Sequence, residues 1–349
     1  MQLLAGAYVE RARHLQEYET RLRVPGLPAT GTNRTQIDGD TAAVFAQAVW
    51  RAAPSVSFEA GLRGHHATHE VSVDNRNDGY GIPTHGRRAE TVLSPRASLA
   101  WTPQAHLRFG ALVSHGFRGG GIASALLQAV TRSYGPEHAW NYELFARREA
   151  AGGRRWVQAN AYWIDWRGQQ VSATPPGGVP SLDDVVFNAG RSQLRGFELE
   201  AGGRFAARWS AFASLGHQAT KFVEFVNGGA NHAGAPFPNA PKWNASVGGG
   251  YGIDDARPGV FGGATLTWRD RTYSLIGLQD FTALESRTLL SARLGWRWRS
   301  GASIQVFGEN LLDDDFAWSR ADWRIFGVSE PVGRVSQPRT LGVSVEFAW

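Results

Sequence analysis

The closing stretch TLGVSVEFAW, residues 340–349, sorts its side chains onto two faces. Leu341, Val343, Val345, Phe347 and Trp349 leave on one side, and Thr340, Gly342, Ser344, Glu346 and Ala348 on the other. A period of two marks an extended strand, because successive side chains of a pleated backbone point to opposite sides. Residues 290–298 repeat the pattern, with Leu290, Ala292, Leu294, Trp296 and Trp298 opposed by Ser291, Arg293, Gly295 and Arg297. A strand with tryptophans along one face and arginines along the other cannot be buried inside a water-soluble core. It separates an apolar medium from a polar one.

Outward from these two segments the same alternation recurs. Val56, Phe58, Ala60 and Leu62 oppose Ser57, Glu59, Gly61 and Arg63; Leu107, Phe109, Ala111 and Val113 oppose His106, Arg108 and Gly110. Further examples start at Phe197, Trp209, Trp243 and Val260. Counted together they predict about fifteen strands of roughly ten residues, the length a tilted strand needs to cross a bilayer. Short and long connections alternate between them. Tight turns fall near residues 52–54, 102–104, 150–153, 203–207, 252–258 and 299–301, and long polar loops near 23–40, 66–88, 116–138, 167–189, 220–241, 270–287 and 313–338. Bacterial outer-membrane barrels have this asymmetry, with short periplasmic turns and long extracellular loops.

Composition excludes the main alternatives. No run approaches the ~20 consecutive apolar residues of a membrane-spanning helix. The formal charge of +5 comes almost wholly from scattered arginines, Lys221 and Lys242 being the only lysines, so no basic stripe for nucleic acid forms. Cysteine is absent, which removes zinc-finger, iron–sulfur and thiol-nucleophile chemistry. A soluble propeller would show a blade-length repeat, and none occurs. Tryptophans instead gather near strand ends, as at Trp50, Trp101, Trp140, Trp209 and Trp243, the positions of interfacial girdles. The fold expected is an all-β transmembrane antiparallel barrel, one unit over residues 1–349, closed because an open edge in lipid leaves backbone groups unpaired. With fifteen strands Met1 falls on the long-loop side. That parity, and the absence of a leader segment before LLAGAYVE, read as truncation at the N-terminus.

In order and spacing the chain resembles the TonB-dependent outer-membrane receptors. The segments that carry the resemblance are TAAVFAQAVWR (41–51), LSPRASLAWTP (93–103), FGALVSHGFRGGG (109–121), PEHAWNYELFARR (136–148), NAGRSQLRGFELE (188–200), PNAPKWNASVGGGY (238–251), FGENLLDDDF (307–316) and VSVEFAW (343–349). The resemblance implies active uptake of a ferric siderophore or similar iron complex, through a barrel of about twenty-two strands whose first seven or so are missing here. It also implies that the plug domain is absent, that the TonB complex would be met only through that missing region, and that Phe347 and Trp349 act as the barrel-assembly signal. In GENLLDDDF, Asn310 and Asp313 stand where a strand leaves the membrane and can satisfy backbone groups freed from the ladder.

A compact anionic iron complex needs cationic hydrogen-bond donors and flat apolar surfaces. Arg118, Tyr273, Trp318, Arg320, Trp323 and Arg324, on the long-loop side, are the candidates. His65, His66, His69 and His85 could ligate haem iron but read better as solvated loop residues, and FRGG at 117–120 departs from the haem receptors' FRAP box. Residues 74–79 hint at a calcium loop, except that Arg76 occupies a ligand position. Gly248, Gly250 and Gly252 read as room for a plug. No P-loop, HExxH or GxSxG occurs, so neither enzyme, cofactor nor metal centre is expected. Beside the receptor stand two other readings, a passive porin-like channel with an arginine-rich lumen and a soluble carbohydrate-binding or adhesive β protein.

Overall fold

The computed structural model describes residues 1–21, 30–78, 81, 83–125, 131–150, 152–180, 183–253 and 257–347. Trp349 lies outside them. The alternation becomes one antiparallel sheet of fourteen strands paired strictly in chain order. These are β1 (Gln2–Arg21), β2 (Thr30–Ala53), β3 (Val56–Asn77), β4 (Thr84–Gln104), β5 (Leu107–Arg118), β6 (Glu137–Glu149) and β7 (Arg155–Ala173). They continue with β8 (Val185–Arg204), β9 (Trp209–Glu224), β10 (Trp243–Tyr251), β11 (Gly259–Arg269), β12 (Arg287–Arg297), β13 (Ser303–Glu309) and β14 (Thr340–Glu346). No helix is long and apolar enough to cross a membrane, and a 3-10 turn at Arg324–Phe326 is the only helical element among the described residues.

Three expectations change. The sheet has fourteen strands, not about fifteen, because six short and seven long connections join fourteen segments. With an even count Met1 moves to the other end: Gln2 pairs with Val49, close to the short turn after Ala53. Glu346 pairs with Ser303, also beside a short turn, so both ends of the sheet start from the same side and the parity argument for truncation falls. No ladder joins β1 to β14 among the described residues, so the closure expected of a wall in lipid is not made within the sheet itself.

The strands nearest the N-terminus are also far longer than ten residues. β1 to β4 run for 20, 24, 22 and 21 residues, into what reads from sequence as loop. A ladder needs backbone pairing and not an apolar face, so it continues where both faces are polar. Directly opposed charges support the register there: Arg13 with Asp38 at 2.5 Å, Glu17 with Arg34 at 3.2 Å, Arg11 with Asp40 at 3.6 Å. Exposed pairs of this kind are screened by solvent and individually weak, but a one-residue slip would break all three together. His65, His66 and His69 therefore lie within β3 and His85 within β4, not in a loop.

One face of the sheet carries apolar side chains that remain exposed in the isolated chain: Leu144 is 63% accessible, Leu294 59% and Val343 64%. Aromatic pairs bound this band at both margins. Trp50 with Phe58, Trp101 with Phe109 and Trp209 with Tyr251 lie toward the short turns, with centroids 5.8, 5.7 and 5.1 Å apart. Tyr142 with Trp163 and His217 with Trp243 lie toward the long loops, at 5.4 and 4.3 Å. Along β9 the margins are Trp209 and His217, and at ~3.3 Å per residue they stand about 26 Å apart along a tilted strand. At the ~35–45° tilt of outer-membrane barrels that length rises roughly 19–22 Å across the bilayer, most of their ~25 Å apolar band.

The opposite face is polar but carries rings laid across glycines of the neighbouring strand. Phe45 covers Gly6, Phe145 covers Gly110, Phe212 covers Gly248, Phe261 covers Gly295 and Phe307 covers Gly342. A Cβ on any of these glycines would meet the ring, so the ring and the bare backbone form one packing unit. This corrects the reading of Gly248 and Gly250: the space beside them is filled by Phe212 and by Ile253, and Gly252 is a turn residue at φ 65°.

Candidate functional site

Tertiary packing of buried side chains concentrates at the long-loop end. Val171 and Ala173 of β7, Val185, Phe187 and Ala189 of β8, Phe222 at the end of β9, and Ala125 and Phe225 of the adjoining loops form a buried cluster. Phe237 and Ile276, from two further loops, pack against it. Four small ribbons stiffen the loops: Gly121–Ser124 with Thr131–Tyr134, Val226–Asn227 with Ala230–Asn231, Thr272–Tyr273 with Ala283–Leu284, and Ala317–Ala321 with Val332–Val335.

Side-chain amides stitch one loop to the next. Asn75 donates to Ser124 Oγ at 2.9 Å and to the Ala125 carbonyl at 2.5 Å. Gln170 donates to the Gly119 carbonyl at 2.7 Å, Asn188 to the carbonyls of Gly168 and Gly135 at 2.7 and 3.0 Å, and Asn227 to the Thr174 carbonyl at 2.9 Å. All but the bond to Ser124 Oγ satisfy backbone carbonyls, which is why amide side chains recur at loop roots. The rim is consequently a braced surface.

Five of the six candidate ligand-binding residues come together in the last two long loops. The Arg320 backbone N–H donates to Ser274 Oγ at 2.8 Å and its guanidinium to the Ala283 carbonyl at 2.5 Å, locking one loop to the other. Arg324 lies over the Phe281 ring at 4.2 Å and bonds both carboxylate oxygens of Asp322, at 2.9 and 2.7 Å. Those hydrogen bonds, ahead of a smaller opposing cost of burial, hold the Asp322 carboxyl below the usual carboxylate range. Trp318 is 47% exposed, with the Arg287 guanidinium 4.0 Å over its ring. Trp323 packs edge-on against Phe326 and keeps a buried indole N–H with no acceptor.

Tyr273 is buried and its hydroxyl donates to the Pro236 carbonyl, so it braces the loops from below; burial pushes its pKa up. Arg118 stands apart on β5, paired with Glu137 at 3.1 Å. Asn310 and Asp313 both adopt the left-handed region, at φ 48° and 57°. Asn310 donates to the carbonyls of Asp314 and Gln337, both at 3.0 Å, and Asp313 accepts from the Arg339 N–H at 3.0 Å. Phe347 follows β14 with 68% of its surface exposed.

The structure adds residues that loop composition did not single out. A polar cavity of about 480 Å³ lies beside Tyr273, bordered by Lys242, Asp270, Arg271, Asp280 and Glu285. Lys242 is one of only two lysines in the chain. The histidines do not assemble into a haem or metal site. His66 meets Thr91 Oγ1 at 2.8 Å, His85 meets Ser72 Oγ at 3.0 Å and the His65 ring lies 4.9 Å from Phe117. No group of three or more metal-ligating side chains occurs among the described residues. Asp74 is engaged by Arg76 at 2.7 and 2.9 Å, which removes the calcium loop.

The same fold recurs among known proteins. The pesticin receptor of Yersinia enterocolitica is 24% identical over 337 residues, covering 93% of this chain and 45% of its own. The ferric yersiniabactin uptake receptor FyuA from Yersinia pestis superposes with a TM-score of 0.79 at 18% identity, over 98% of this chain and 50% of that one. The siderophore receptor PiuA from Acinetobacter baumannii gives 0.71 at 14% identity, over 90% and 44%. The chain thus spans about half the length of these relatives. The model of the TonB-dependent receptor-like β-barrel matches residues 3–311, and the chain belongs to that family of outer-membrane receptors.

Proposed function

We propose that residues 1–349 form one unit, part of the wall and the outer rim of an uptake receptor for a ferric siderophore or a similar compact iron complex. Further strands of the full barrel would close the wall between β1 and β14. The observation that carries this reading is the rim itself, in which Trp318, Arg320, Trp323 and Arg324 of the last long loop are held against the preceding loop by the Arg320 bonds to Ser274 and Ala283. A braced surface binds better than a loose one because less ordering entropy is lost when the ligand arrives. The exposed Trp318 face and the cavity edged by Lys242 and Arg271 offer the flat apolar area and the cations that such a complex needs. Energy would reach the barrel through the plug on which the family's TonB coupling depends. The role is transport, and no catalytic constellation enters it.

The test is iron-complex binding by the full-length receptor carrying Trp318→Ala and Trp323→Ala together. Affinity should fall at least tenfold, about 1.4 kcal/mol, with assembly intact; unchanged affinity removes these loops from the site. Conductance separates the receptor from a passive porin, since the receptor stays closed until its plug moves and a porin carries steady current. A soluble adhesive protein would stay dispersed without detergent.

A further inference from the structure

The outward face carries a feature that ligand uptake does not require, a set of cations at its long-loop margin. On β7, β8 and β9 the register aligns outward side chains in rows: Trp163 beside Arg195, Asp165 beside Gln193 beside Lys221, and Arg167 beside Arg191. Arg191 is committed to Asp165 at 2.9 and 3.1 Å, with Glu224 and Arg167 also within that local field. Arg195 and Lys221 are exposed and have no carboxylate partner among the described residues. They stand on adjacent strands, one diagonal step apart, immediately above the aromatic margin.

An apolar groove of about 950 Å³ leads up to Arg195. Its path follows one row of cross-strand neighbours, from Ala60 to Ala97, Val113, Tyr142, Trp163 and finally Arg195. The five steps at ~4.8 Å make it about 24 Å long. Because strands tilt across the bilayer, a row perpendicular to them climbs obliquely from within the apolar band toward its outer margin. The alanines at its lower end leave room for a chain, while the stacked rings of Tyr142 and Trp163 offer it a flat apolar surface at the upper end.

A trough that is apolar along its length and cationic at its outer end has the shape and charge order of a phosphate-headgroup lipid. The guanidinium presents paired donors to phosphate oxygens, and the ammonium adds a second charge within reach. We propose that this groove holds one lipid with a net-anionic phosphate headgroup in a fixed pose, its acyl chain in the trough and its phosphate on Arg195 and Lys221. The proposal rests on the outer-membrane placement of the barrel and is independent of the cargo.

The full-length receptor, purified in a mild detergent and equilibrated with equimolar phosphatidylglycerol and phosphatidylcholine, is examined by native mass spectrometry for lipids retained. Wild type should keep one phosphatidylglycerol in strong preference. Arg195→Gln with Lys221→Gln should lower that preference by roughly 30-fold, about 2 kcal/mol at ~1.4 kcal/mol per tenfold, as two interfacial cations at ~1 kcal/mol each predict. Ala97→Phe, which fills the trough and leaves the cations in place, should abolish retention, with circular dichroism reporting that both variants remain folded. Equal retention of both lipids by wild type, a preference unmoved by the double substitution, retention unmoved by Ala97→Phe, or displacement of the lipid by inorganic phosphate alone would overturn the proposal. A chain soluble without detergent would instead overturn the membrane placement itself.

Discussion

Asn310 shows how much one residue at the rim can hold. Its side chain supplies three hydrogen bonds, to the Asp314 carbonyl, the Asp314 N–H and the Gln337 carbonyl, while its backbone occupies the left-handed region at φ 48°. Asn310→Gly keeps the backbone conformation and loses the side chain, whereas Asn310→Ala loses both. The glycine variant should lower stability in urea unfolding by about 1–2 kcal/mol and the alanine variant by about 2–3 kcal/mol; equal losses would mean that the left-handed turn carries no cost. Asp322 permits a pH test. Its folded pKa is depressed by Arg324, so its contribution is complete above the unfolded value near ~3.9 and is lost as pH falls through the lower folded value. Carboxyl carbon-13 titration should place Asp322 below the ordinary range and Arg324→Gln should return it; an ordinary midpoint in the wild type would contradict the ion pair.

Strands were the legible elements, because a two-residue period needs only the identity of alternate residues. Leu341, Val343 and Val345 are outward in the structure as in the sequence, opposite Gly342 and Ser344. Strand ends were less legible: Thr30–Asp40 carries Ile37 as its one large apolar residue and Thr68–Asn77 only the brief alternation of Val71 and Val73, too little to distinguish a continued ladder from a loop. The two faces make opposite predictions. Leu144→Arg, on the apolar face, should cost ~2–4 kcal/mol in refolding into lipid, and Ser98→Arg, on the polar face, less than ~1 kcal/mol. Comparable losses at both sites would show that the faces are not in different solvents. The ring-on-glycine units make a coupled prediction. Gly248→Ala should cost ~1–3 kcal/mol because its methyl collides with Phe212, and most of that loss should vanish in a Phe212→Leu background.

At the scale of the whole molecule, a chain with little buried core can be stable only where its apolar face meets lipid. The buried cluster near Phe187 and Phe222 lies among the loops, and the strands beneath it leave leucines and tryptophans uncovered. Loop composition indicated which end would carry a ligand site, yet not its form. That Tyr273 is a buried brace, that Arg118 stands apart with Glu137 and that Lys242 and Arg271 edge a cavity are consequences of loop-to-loop contacts with no period to reveal them. The lack of cysteine allows the membrane-facing alternation to be read one residue at a time. Single cysteines at Leu341, Gly342, Val343, Ser344 and Val345 of the reconstituted full-length receptor can be spin-labelled and their access to oxygen and to a water-soluble nickel chelate compared. High oxygen access at 341, 343 and 345, with lower values at 342 and 344, is the predicted result; uniform access along the strand, or the inverse alternation, would contradict the outer-membrane barrel.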